Sequence, residues 1–258
     1  MTRRPAVGEL LRGWRERRRL TQLSLSLQAD VSARHLSFIE TGRSRPTSEM
    51  ILRLCDELDV PLRERNALLL AGGYAPAFPE HGLDDPSLDA VRSALRLVLE
   101  GHEPHPAVVI DKHWNLVEAN SGLGLFAESV EPALLEPPVN VLRLSLHPGG
   151  MAPRVVNLGE WRAHLLTRLE RQVAQTGDRA VAELLAELTA YPGGRDSETT
   201  PQPHDVVVPL RYRHGDQELS FLSMTAVFGT PLDVTVAELA IESFYPADAA
   251  TAKFLRSP

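Results

Sequence analysis

The 258 residues predict a multidomain protein, an all-α head of five short helices followed by an α+β domain on an antiparallel five-stranded sheet. Three observations predict it. The first 76 residues place apolar side chains at helical spacing, whereas segments after residue 105 and near the end alternate as strands do. A chain of this length also exceeds what one core usually serves. The expected boundaries are 1–76 for the head, 77–104 for a linker with a connecting helix, and 105–258 for the second domain.

In the head, Val7, Leu10, Leu11 and Trp14 form the inner stripe of a first helix over about Val7 to Arg18. Thr21 is a good N-cap for the run holding Leu23, Leu25 and Leu27, which breaks at Asp30-Val31. Ser32 then caps a third helix with Leu36 and Ile39 inward, stopped at Thr41-Gly42, and Pro46 prevents it from resuming. A fourth helix covers about Ser48 to Leu58, and LRERNALLLAGGYAP supplies a fifth, ended by Gly72-Gly73. Two short helices joined by a tight turn, with Arg34, His35, Ser37, Arg43 and Arg45 outward, are built to enter a DNA major groove.

Arg15, Leu20-Thr21-Gln22, Val31-Ser32, Ile39-Glu40, Gly42, Pro46 and the string MILRLCDELDV resemble the Cro and phage-repressor type of helix-turn-helix, the XRE family, whose head is lambda-repressor-like. The resemblance covers about the first 75 residues. It implies that Gln22 and Thr41 touch phosphate oxygens, that Arg43 follows the backbone, and that Ala33, Arg34, Ser37 and Phe38 face base edges. Thr21, Ser32 and Arg45 complete the expected DNA-binding set. It also implies a buried structural pair, Arg15 with Glu40. Operators read by this family are symmetric, so the expected partners are palindromic double-stranded DNA and a second copy of the chain.

The net charge of −7 is segregated. Residues 1–76 hold 13 Arg and 9 acids, giving +4; the remainder holds 14 basic residues and 25 acids, giving −11. A basic head on an acidic body suits a protein that meets DNA with one end. Cys55 is the single cysteine, on an apolar face, so no intrachain disulfide forms and a reducing cytoplasm is the expected location. No apolar run reaches the 18 or more residues of a membrane span, and the basic start lacks the apolar core of a secretory signal.

After the Pro- and Gly-rich linker Tyr74 to Pro86, the residues Leu88, Val91, Leu95, Val98 and Leu99 predict a helix ending near Gly101. AVVID and WNLVEAN predict a hairpin, with Asn120-Ser121 capping a helical turn after it. A Pro-rich crossing leads to amphipathic helices over Glu160 to Gln172 and Asp178 to Tyr191, and then to the polar loop PGGRDSETTPQPH. DVVVPLRYR, ELSFLSMTAVFG and ELAIESFYP predict a closing meander. The order strand-strand, helices, three strands is that of a PAS-like domain.

PAVVID with WNLVEAN, NLGEWRAHLLTRLERQ and LDVTVAELAIESFYPAD resemble the ligand-binding domain of MmyB-like transcription regulators. The resemblance implies a small apolar ligand such as a fatty acid, and no required cofactor. From the chemistry such a ligand needs, Trp161, Leu165, Leu169, Phe221, Met224 and Phe228 are the expected lining. Arg154, Arg162, His164, Arg168 or Tyr212 would hold the carboxylate at the mouth, an Arg best of all.

Enzyme chemistry finds no motif: there is no HExxH, no phosphate-binding Gly loop and no GxSxG elbow, and His102 with His105 lacks zinc partners. Three readings follow. The first is a ligand-sensing DNA-binding regulator; the second, a regulator whose C-terminal domain docks a protein partner, as an antitoxin or co-regulator does; the third, an enzyme with a regulatory head. A continuous internal pocket favours the first, and a large exposed apolar patch the second.

Overall fold

The computed structural model describes residues 5–128, 130–193 and 207–256. The chain divides into two compact units. One runs to Gly82 and includes Ala174–Thr176 and Thr230–Ala237; the other comprises Leu83–Val173, Gly177–Gly229 and Glu238–Pro258.

The head has the five expected helices: α1 (Val7–Arg17), α2 (Gln22–Gln28), α3 (Ala33–Glu40), α4 (Ser48–Glu57) and α5 (Leu62–Ala71). Their starts are set locally. The hydroxyls of Thr21, Ser32 and Thr47 accept from the backbone N–H groups of Ser24, His35 and Met50 at 3.0, 3.1 and 3.2 Å, each meeting a donor that the first helical turn leaves unpaired. Gly42, at φ +72°, ends α3 in the left-handed conformation. Leu11, Trp14, Leu25, Leu36, Ile39, Ile51, Leu54, Leu58 and Leu68 close one core.

Helix α1 lies directly against α3, because Gly8 has no side chain: a Cβ there would come within 2.2 Å of the Ile39 carbonyl oxygen. That closeness brings Arg15 to Glu40, whose carboxylate accepts from Nε at 2.6 Å and Nη2 at 2.8 Å, both residues being buried. Arg15 Nη1 also donates to the Leu20 carbonyl at 2.8 Å, pinning the turn before α2.

The second unit is built on five strands: β1 (Ala107–Ile110), β2 (Leu116–Ala119), β3 (Leu210–His214), β4 (Gln217–Val227) and β5 (Ala240–Pro246). Their order is β2-β1-β5-β4-β3, every neighbour antiparallel, as expected of a PAS-like sheet. All four residues of β1 are buried because helices cover both faces. Ala107 and Val109 pack with Leu95 and Leu99 of α6 (Asp89–Gly101). Val108 and Ile110 face a larger core shared with Trp161, Leu165 and Leu169.

The other helices are α7 (Gly124–Ala127), α8 (Val141–Leu146), α9 (Leu158–Thr176), α10 (Arg179–Ala190), α11 (Val234–Ala237) and α12 (Ala249–Leu255). Several differ from expectation. Helix α8 falls in the supposed crossing: VLRLSL alternates like a strand, but Asn140 Oδ1 accepts from the N–H groups of Leu142 and Arg143 at 3.2 Å and starts a helix. Asn120 does not cap the turn that follows it. Its amide donates to the His105 carbonyl at 2.8 Å and accepts from Ala107 N–H at 2.9 Å. The strand expected from Asp205 begins at Leu210, since Pro209 has no N–H for the ladder; most of the expected polar loop, and Asp205 itself, lie outside the described residues. Asp248, accepting from Thr251 N–H at 2.7 Å, starts the unforeseen α12.

Two outcomes are expected. Gly8→Ala forces α1 away from α3 and lowers the head's unfolding free energy by about 1–3 kcal/mol, measured by urea denaturation. Burial pushes the Cys55 thiol up to about 12, above the unfolded value of about 8.5. Its contribution to stability is therefore full below about pH 8.5 and is lost between there and about 12. At pH 8 a thiol reagent should label Cys55 only in step with unfolding; labelling of the native protein contradicts the burial.

Candidate functional site

The head presents its second and third helices as a unit. On α3, Arg34 is exposed while Ala33, Ser37 and Phe38 are half-buried at the rim. The Phe38 ring sits beneath two guanidinium groups, Arg34 at 5.4 Å and Arg43 at 5.9 Å from its centre. An aromatic face attracts cations, so Phe38 holds both arginines over one edge of the helix. Thr21 and Ser32 spend their hydroxyls as caps, and the Thr41 hydroxyl donates to the Ser37 carbonyl at 2.7 Å.

Two residues of the expected DNA-binding set, Gln22 and Arg45, are engaged within the fold. The Gln22 amide donates to Glu40 at 2.8 Å, making it a third member of the Arg15 pair. Arg45 donates to the Gly72 carbonyl at 2.8 and 3.2 Å, a cation on the carbonyl end of α5.

The second unit contains a cavity that opens to solvent, with about 570 Å³ of space between atoms when the solvent at its mouth is counted. Phe126 of α7, Leu142 and Leu144 of α8, Trp161 and Leu165 of α9, and Val108 and Phe244 of the sheet make its walls. Apart from Ser145 and Ser223, polarity is concentrated in Arg168 and Glu242. Arg168 Nη1 donates to Glu242 at 3.1 Å and Nη2 makes a second, shorter bond to the same carboxylate. Thr225 adds a hydrogen bond at 2.9 Å. The Arg168 guanidinium also lies 4.5 Å from the Trp114 ring centre, and the Trp114 N–H is held by Gln172 at 2.8 Å.

Over residues 91–257 the chain matches the family described as MmyB-like transcription regulator ligand binding domain, and over residues 6–68 it matches a helix-turn-helix domain. The first match covers well over half of the chain. This chain belongs to the MmyB-like transcription regulators. It is also similar to Transcriptional regulator ClgR of Mycobacterium tuberculosis, in strains CDC 1551 / Oshkosh and ATCC 25618 / H37Rv. The identity is 42% over 59 residues, 23% of this chain and 53% of the relative. The chain thus spans about half the length of the curated relatives it matches.

In this MmyB-like domain, Trp161, Leu165 and Arg168 line the cavity. Other expected residues do not. Phe221 and Tyr212 are fully buried core, packed edge-on against Phe126 with ring centres 5.4 and 5.2 Å away. Met224 is 60% exposed, and Phe228 lines a groove with Leu95 and Val98, two residues of α6. Strand parity is the reason for Met224, which faces the opposite way from the lining residue Ser223, whereas Phe221 shares the face of Ser223 but is filled in by Phe126.

The expected mouth residues also have other work. Arg162 is buried, its guanidinium donating to the carbonyls of Leu188, Thr189, Tyr191 and Gly193 at 3.2, 2.8, 2.6 and 2.5 Å. It caps α10. Arg154 bonds the Tyr212 hydroxyl and approaches Glu128 at 3.9 Å. His164 stacks on Trp161 with ring centres 5.6 Å apart, and burial followed by the Arg168 charge holds its pKa below the ordinary imidazole value. It is therefore neutral at pH 7.

Arg162→Met should lower the unfolding free energy by about 1–3 kcal/mol, because buried helix-end carbonyls lose their donor. Urea denaturation measures this. A variant as stable as the parent contradicts the capping role.

Proposed function

We propose that the protein is a ligand-responsive transcription regulator in which the head reads an operator and the PAS-like unit takes a small apolar molecule. DNA binding follows from the helix-turn-helix; ligand sensing is supported by one observation, a solvent-connected cavity with almost wholly apolar walls. Such a cavity suits an alkyl chain or a flat hydrocarbon skeleton. The fatty acid implied by the family resemblance fits those walls with its tail, while its carboxylate would meet a cation that Glu242 already neutralises.

The regulator acts as a homodimer on a palindromic operator, in the cytoplasm. Symmetric half-sites about 34 Å apart require two heads. Exposed apolar side chains on α6 and β4, Leu97, Val98, Met224 and Val227, supply a surface for the second copy. Ligand then favours one of two arrangements of the dimer over the other, to the extent of its differential affinity for them. The same exposed side chains would serve a protein partner in the alternative reading; the internal cavity favours the sensor.

Comparing native and denatured masses of the purified protein, and extracting what is released, tests this reading. A near-stoichiometric apolar compound that changes affinity for a selected operator supports it. A monomer with an empty cavity that no apolar compound fills would sink it.

On that operator, Arg34→Ala should weaken binding by about 1–3 kcal/mol and relax specificity at one base pair. Arg43→Ala should weaken all sequences alike and reduce the salt slope by about 0.9. A salt titration separates the two. Equal behaviour of both variants means that α3 lies in another register.

A further inference from the structure

The character of the ligand's head group can be read from the polar end of the cavity. An ionised ligand needs an opposite charge that is not already satisfied. Arg168 faces the cavity, but two of its nitrogens are given to Glu242, and Nη2 also donates to the Thr225 hydroxyl at 2.6 Å. Glu242 is 4% exposed and sits between two neighbouring strands, so it cannot swing into water when a competitor arrives. A ligand carboxylate here would add a second negative charge beside the first. Arg154 and Arg162 are committed elsewhere, and His164 is outside the lining.

Uncharged polar groups do face the cavity. The Ser145 hydroxyl accepts from Trp161 Nε1 at 2.9 Å, leaving its own proton to donate. Ser223 also lines the space, and its hydroxyl makes no hydrogen bond among the described residues. Two hydroxyls and a neutralised ion pair can satisfy one oxygen function, as donor or acceptor, without any change in charge.

We infer that the cavity takes an uncharged apolar molecule bearing one hydroxyl or carbonyl oxygen, such as a long-chain alcohol or ketone, and that Glu242 excludes the corresponding carboxylate. This rests on the sensor reading above. Glu242 is then a specificity-determining residue: it keeps Arg168 occupied.

The test uses the full-length protein at pH 8 with decan-1-ol and decanoate, each below its aggregation limit, read by the fluorescence of Trp114 and Trp161 at the cavity wall. The parent should bind decan-1-ol at least tenfold more tightly than decanoate. Glu242→Gln, which frees the Arg168 charge, should raise decanoate affinity relative to decan-1-ol at least tenfold. The parent comparison stands even if the variant misfolds. Tighter binding of decanoate by the parent overturns the inference and leaves the sensor reading intact; failure of both compounds to bind the parent, with nothing extracted from the purified protein, overturns both.

Discussion

Glu242 lies in β5, with strands on either side and helix α9 above it. A carboxylate so placed is tolerable only beside a cation, and removing one member of such a pair typically costs about 3–5 kcal/mol. Arg168 supplies the cation, which constrains where α9 can lie. With Arg168 over Glu242, Leu165 and Trp161, about one and two turns earlier, fall over the apolar part of the same sheet face. The space left between them and Phe126, Leu144 and Phe244 is the cavity. Trp114 completes the arrangement at φ +67°, an unfavourable conformation for a large side chain. Asp111 holds that turn, accepting from the N–H groups of His113 and Asn115 at 2.8 and 2.9 Å.

The head uses a similar device for a different purpose. Glu40 is matched by Arg15 and Gln22, which join three helices at one carboxylate. Nothing in that cluster faces outward to read a base. Its effect is to hold α2 and α3 at a fixed angle, and on the proposed reading Arg34 and Arg43 over Phe38 would then meet DNA as a preformed surface. Rigidity at that edge reduces the ordering cost of binding.

The head was legible in the sequence because its determinants are local. Thr21, Ser32, Gly42 and the apolar spacing of α1 and α4 each act within a few residues. In the second unit the strands and their order were legible, but the cavity lining was not. Periodicity places a residue on an inward face without saying whether it meets another side chain or empty space. Leu169, Phe221 and Tyr212 are inward and packed; Trp161 and Leu165 are inward and line the cavity. Finer use of the period separates Arg162 from Arg168. At about 100° per residue, Arg168 returns to within about 20° of Trp161, whereas Arg162 points about 100° away. Glu242 carried a signal of its own, an acid two residues before Phe244 and so on the same face of its strand. Helix α8 was hidden because VLRLSL fits a strand's alternation, and only the Asn140 cap decides otherwise.

On the proposed sensor reading, an electroneutral polar end decides which ligands are discriminated. In an apolar cavity one methylene more or less changes affinity by only about 1–3 kcal/mol, so chain length alone separates related compounds poorly. A charged head group is different, because burying it unpaired beside Glu242 costs desolvation that no hydroxyl recovers. On the proposed reading, selectivity would therefore reside mainly at Arg168, Glu242 and Ser223, while the walls decide only shape and size. The pair is neutral in its resting state, so an uncharged ligand can enter without breaking it. Response to such a ligand would then come from the packing of α8 and α9 around it, since the electrostatics of the cavity do not change.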